Sequence, residues 1–302
     1  MRALLLKLSS SPRMARWVTG NRLSRRLSRR FVAGESLDEA IAAARALNQA
    51  GMAVSLDHLG ENVSSEEAAR RARDAYIEIF DRIAAEKIDG NVSLKLTQLG
   101  LDFSTELCRE LLGTIVARAD ALDNFLRIDM EGSPYTAKTI ALCREMRARS
   151  ANVGTVIQAY LFRSEQDIRD LIAAGCRIRL CKGAYKEPPE IAFQKKSEVD
   201  ANFVKLMQIL LRSGIYHGIA THDERMIAAT ADFAAKEGIG KDRFEFQMLY
   251  GIRADLQRQL IRDGYRMRVY IPYGSDWFPY FMRRLAERPA NVLFILRNLF
   301  RG

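Results

Sequence analysis

Histidine and cysteine are scarce in this 302-residue chain, with three and four copies. His58, His217 and His222 form no HExxH, and Cys108, Cys143, Cys176 and Cys181 form no CxxC. A zinc centre needs such clusters, so no metal site is expected. Cysteines this sparse read as reduced thiols in a cytoplasmic protein, with Cys108 and Cys143 on buried helix faces. No GxGxxG follows the first strand-like run and no GxxxxGK[ST] occurs, which removes the common nucleotide-binding loops. No run of about 18 apolar residues is present, so no membrane-spanning helix is expected. The start, MRALLLKLSSSPRMARW, lacks the long apolar core and cleavage site of a secretory signal.

Acid is absent from the first 30 residues, which carry nine Arg or Lys. The whole chain has 47 basic and 37 acidic residues, so without this arm 38 face 37. The body is therefore no basic nucleic-acid binder, and nucleic acid is not expected as a partner. Leu23, Leu27 and Thr19 can share one helical face, with Trp17 nearby and arginines over the remainder. A basic amphipathic segment with a Trp suits an anionic lipid surface. That gives peripheral contact with the inner face of the cytoplasmic membrane; a solvated basic tail is the alternative.

The expected division is a basic arm, 1–34, and a catalytic barrel, 35–302. A helix opens at Glu35-Ser36-Leu37-Asp38 and runs to Gln49, closed by Gly51. Eight strand-like runs follow: 53–60, 91–100, 125–131, 155–161, 177–184, 217–223, 244–251 and 266–274. Helical stretches with apolar residues at three- and four-residue spacing separate them. Several begin with a capping pattern, such as Ser65-Glu66-Glu67 and Ser164-Glu165-Gln166. Eight alternations predict an α/β fold, a (β/α)₈ barrel, with a doubly wound sheet as runner-up. The irregular stretch 186–199 reads as a loop over the site.

In such a barrel the site lies at the C-terminal ends of the strands. Here those ends are polar: Asp57 and His58, Lys95 and Gln98, Asp129 and Glu131, Gln158, Arg179 and Lys182, Thr221 and His222, Gln247, Tyr270. Lys95 in VSLKLTQL and Asp129 in LRIDME are flanked by apolar residues on both sides. A charge in a buried strand needs a partner, so they read as a functional pair or as an ion pair filling the barrel mouth. After the last strand, Asp276 stands where a helix cap belongs. At 100° per residue, Tyr280, Arg283, Arg284 and Glu287 share one narrow face of the helix that follows. Two adjacent guanidinium groups repel unless an anion lies between them, and their N–H forks fit a carboxylate or phosphate. A solvated basic face is the plainer reading.

The motifs LKLTQLGLD, RIDMEGSP, RLCKGAYKEP, ATHD, FEFQMLYG and YFMRRLAER, in this order, resemble the proline dehydrogenase family. The resemblance runs from about Val32 to the C-terminus and implies a distorted (β/α)₈ barrel with noncovalent FAD. It implies oxidation of L-proline to Δ1-pyrroline-5-carboxylate, the first step of its catabolism to glutamate, with a membrane quinone as electron acceptor. By this resemblance Arg283 and Arg284 bind the proline carboxylate and Glu287 orients them. Lys95 and Asp129 are polar residues on the substrate side. Tyr270, Tyr280 and Leu249 wall the ring, and Arg179 stands beside flavin N5. Met130, Gln158, Lys182, Gly183, Ala184, Thr221 and His222 correspond to FAD contacts. Two other classes compete: an aldolase-type barrel with a Schiff base on Lys95 or Lys182, and a nonenzymatic binding protein.

Overall fold

A computed structural model describes residues 28–60 and 63–287. The side chains of Arg283, Leu285, Ala286 and Glu287, and residues 1–27 with the arm's helical face, lie outside that description. Eight parallel strands close into a barrel in chain order. They are β1 (Ala53–His58), β2 (Gly90–Leu94), β3 (Leu126–Ile128), β4 (Val153–Gln158), β5 (Arg177–Cys181), β6 (His217–Ala220), β7 (Phe244–Leu249) and β8 (Arg266–Tyr273). Helix α1 (Leu37–Gln49) precedes β1. Then come α2 (Glu66–Ala85), α3 (Thr105–Ala121), α4 (Ser133–Arg147), α5 (Ser164–Ala173), α6 (Lys196–Arg212), α7 (Glu224–Lys236), α8 (Ala254–Arg262) and α9 (Trp277–Glu287). The closing seam joins β1 to β8 from Ala53↔Arg268 to His58↔Tyr273.

Local chemistry starts the helices. Ser36 and Glu39 form a complete capping box at α1, and Ser65 accepts from the Ala68 N–H at α2. Ser164 does not cap α5. It lies inside the first turn, and its Oγ donates to the Gln158 carbonyl at 2.6 Å, tying α5 to β4. The run 91–100 also divides. β2 ends at Leu94, and Leu96–Leu99 form a single 3₁₀ turn closed by Gly100 at φ 83°. Gln98 holds this turn: its Oε1 accepts from the Lys95 N–H and its Nε2 donates to the His58 carbonyl.

Period-two alternation sorts each strand. Val54 and Leu56 join the apolar layer under the helices, while Ser55 and Asp57 take part in the polar network inside the barrel. Barrel interiors are usually filled by branched aliphatic residues. This one contains Ser55, Ser93, Arg127, Arg179, Glu245, Gln247 and Arg268, hydrogen-bonded to one another or to strand carbonyls, with Arg127 Nε left without a partner among the described residues. A second apolar cluster joins Phe31 and Val32 to Leu59, Trp277, Phe278 and Phe281, so the segment before α1 packs on α9. Gly251 (φ 69°) permits this approach, since a Cβ there would lie 1.6 Å from the Arg30 carbonyl oxygen.

Candidate active site

The C-terminal mouth of the barrel encloses a cavity of about 590 Å³. Lys95 and Asp129 each stand one residue beyond the last residue of their strands, β2 and β3. The fold brings them together. Lys95 Nζ lies 3.0 Å from Asp57 Oδ2 and 3.6 Å from Asp129 Oδ2. Arg179 Nη1 donates to Asp129 Oδ1 at 2.8 Å, and the Tyr270 hydroxyl donates to Asp129 Oδ2 at 2.7 Å. Two cations and two carboxylates thus share one buried site at the edge of the cavity. Burial pushes the Asp57 carboxyl above its usual range although Lys95 opposes the shift. Burial and the neighbouring Asp129 raise Tyr270 well above the ordinary phenol, so its hydroxyl remains a donor.

Arg179 is held on every side. Its Nε donates to Gln247 Oε1, and its Nη2 to Ser93 Oγ at 3.1 Å and Ser55 Oγ at 3.3 Å. Tyr280, Arg284 and Leu249 line the same cavity, and Arg284 Cζ lies 5.2 Å from the Tyr280 ring centroid. Arg283 and Glu287 belong to this helix, with side chains outside the described set.

The remaining residues singled out above line the rest of the cavity. Met130, Gln158, Lys182, Gly183, Ala184, Thr221 and His222 all reach it. Gln158 bridges two loops, donating to the Glu131 carbonyl and accepting from the Ala184 N–H. Gly183 has φ 120°, and a Cβ there would fall 2.4 Å from the Tyr160 ring, so the chain passes close under that ring. His222 Nε2 accepts from the Leu249 N–H at 3.0 Å. The stretch 186–199 is tied down: Phe193 N–H donates to the Tyr160 carbonyl, and Glu187 accepts from the Ser133 N–H. Lys182 is ion-paired to Asp200 and Asp223 as Lys95 is to Asp57, and a Schiff-base lysine needs a neutral amine.

The motif reading gave no role to Asp57, the deepest partner of Lys95, nor to Ser55, Ser93, Glu245 and Gln247, which surround Arg179 directly or at one remove. A signal existed. Ser55 precedes Asp57 by two positions, Ser93 precedes Lys95, and Glu245 precedes Gln247, so each shares its neighbour's face of the strand.

The family model for proline dehydrogenase matches residues 40–297. The chain is 44% identical over 276 residues to proline dehydrogenase 2 of Bacillus subtilis (strain 168), covering 91% of each chain. It is 42% identical over 281 residues to the proline dehydrogenase of Deinococcus radiodurans, again covering 91% of both. Among solved structures, proline utilization A from Bdellovibrio bacteriovorus, inactivated by N-propargylglycine, superposes with a TM-score of 0.82 at 29% identity. That match covers 87% of this chain and 33% of the other, so the likeness is to one part of a longer protein. A closed eight-stranded barrel with a charged mouth, a family match over most of the length, and relatives of the same size lead to one conclusion: this chain belongs to the proline dehydrogenase family.

Proposed function

We propose that the chain oxidises L-proline to Δ1-pyrroline-5-carboxylate, with noncovalently bound FAD supplying, at N5, the acceptor for the hydride from proline C5. A membrane quinone then takes the electrons. The observation that carries this reading is the convergence of Arg284, Tyr280, Tyr270, Lys95, Asp129 and Arg179 on one cavity.

The lining fits a flavin. Met130, Val156 and Met248 offer apolar surface for a planar ring system, and Lys182 and Lys196 bring cations for a diphosphate. Gln158, Gly183, Ala184, Thr221 and His222 would hold the same group. Arg283 and Arg284 would clamp the proline carboxylate, oriented by Glu287, and so fix C5. Tyr270, Tyr280 and Leu249 would close on the ring and exclude water. The amine must be neutral before hydride departs. Asp57 and Asp129, held beside Lys95 and Arg179, are the carboxylates suited to take the amine proton; the positive charge the cluster gains is the one the amine gives up, so the total charge of the site is unchanged. Arg179 supplies fixed positive charge where negative charge develops.

The test is spectroscopic. Purified protein is expected to be yellow, and L-proline under anaerobic conditions to bleach it. A colourless protein, or a yellow one indifferent to L-proline, would overturn the assignment.

A further inference from the structure

The glutamine amide beside Arg179 has an oxygen end and a nitrogen end of nearly equal shape, and its own bonding does not decide which faces the guanidinium. Arg179 Nε needs an acceptor, so the oxygen of Gln247 must face it. The structure supplies the reason in the layer below. Gln247 Nε2 donates to Oε1 of Glu245, a fully buried carboxylate that can only accept. Gly218 on the neighbouring strand makes the slot, because a Cβ there would lie 2.3 Å from Gln247 Nε2. Glu245 is fixed in turn by Arg268 Nε at 2.8 Å and by the Tyr216 hydroxyl at 3.1 Å. Burial alone would raise the Glu245 carboxyl, but Arg268 together with Gln247 and Arg127 more than reverses this and holds it below its usual range.

We infer that Glu245 is a positioning residue for the oxidation proposed above: through Gln247 it sets the guanidinium of Arg179 against the cavity. With the amide reversed, two N–H donors would oppose each other, and Arg179 would leave its contacts with Asp129 and the two serines. The role belongs to the acceptor oxygen of residue 245, acting two residues from Gln247 along β7 and one layer from the cavity.

The inference rests on the proposed flavin-dependent reaction, and its test separates the two. Glu245→Leu combined with Arg268→Met removes both members of this ion pair together, so neither is left without the other and the net charge is unchanged. This holoenzyme is expected to retain bound flavin and a KM for proline within about twofold of wild type. Its kcat should fall on the order of 10- to 100-fold, the scale of a misplaced catalytic group. The reduction potential of its bound flavin should move negative, because a less well placed cation favours the reduced form less. Glu245→Gln with Arg268→Met restores an acceptor and should recover most of the kcat. Adding Gln247→Met to the Leu/Met variant should cost little beyond Gln247→Met alone, since both act through one contact. Unchanged kcat and potential in the Leu/Met variant, or losses that add in full, would overturn the role of Glu245. A wild type that L-proline does not bleach refutes the function itself; a reactive wild type with an equally reactive variant refutes only this inference.

Discussion

Arg284 reaches the cavity over the ring of Tyr280, on a helix whose apolar side is anchored by Trp277, Phe278 and Phe281. Replacement with Met removes a charge-assisted contact to the proposed carboxylate while keeping much of the volume. Arg284→Met should leave flavin content unchanged and lower kcat/KM for proline by roughly 10- to 100-fold, from a loss of about 1.5–3 kcal/mol. An unaltered KM in both this variant and Arg283→Met would remove the clamp. His217 offers a test away from the site. It is buried at the start of β6, with Nδ1 accepting from the Ile178 N–H and Nε2 2.9 Å from Ser213 Oγ. Burial pushes it down from 6.5 to about 3. A depressed folded-state value gives stability that is complete above about pH 6.5 and lost as pH falls toward 3. Between about pH 6 and 4, wild type should lose up to roughly 1.4 kcal/mol per pH unit more than His217→Gln. Parallel stability profiles for the two proteins would exclude this contribution.

At the scale of elements, α9 carries the side chains proposed to face the substrate, and its support comes from the far end of the sequence. Phe31 lies 6.1 Å from Phe281, ring centre to ring centre, and is buried in the same cluster. The Ala33 N–H donates to the Pro272 carbonyl, so the segment before α1 also braces the end of β8. Phe31→Ala should create a cavity costing about 3–5 kcal/mol where packing cannot relax. Because the cluster is separate from the main core, the effect should fall chiefly on α9. The expected result is a KM for proline raised about tenfold with flavin content retained, read by steady-state kinetics beside flavin absorbance. A lower flavin content with normal KM would place the support elsewhere.

At the scale of the whole molecule, the nine cations of residues 1–30 have no acidic neighbour within the arm, whereas the rest of the chain is nearly neutral. Among the described residues no helix is long and apolar enough to cross a membrane. The arm is proposed to bring the enzyme to anionic lipid, where a membrane quinone is available. The full chain should co-sediment with anionic but not neutral vesicles, less strongly as salt rises. Deletion of residues 1–30 should lower turnover with membrane quinone and spare turnover with a soluble dye. Deletion also removes the Arg29–Glu39 ion pair; Phe31 and Val32 remain to hold α9. Equal vesicle binding by the full and shortened chains would leave the arm without this role.

Local pattern determined much of this protein. Eight apolar runs alternating with amphipathic helices point to the barrel ahead of a doubly wound sheet, because both periodicities are properties of the backbone. Lys95, Asp129 and Arg179 stand out for a related reason: charge inside an apolar run demands a partner. Sequence could not name those partners. Asp57 and Lys95 are 38 residues apart, and Arg179 and Gln247 are 68 apart. Only closure of the barrel sets them in contact. The same holds for Lys95, which pattern placed within a strand and the fold placed at its exit, where Gln98 and Gly100 turn the chain. The packing of Phe31 beneath α9 joins two ends of the chain through apolar contact, which has no sequence period to betray it. Hydrophobic periodicity is a short-range record of which side of an element is covered; which buried groups meet there is decided by the closure of eight strands around one axis.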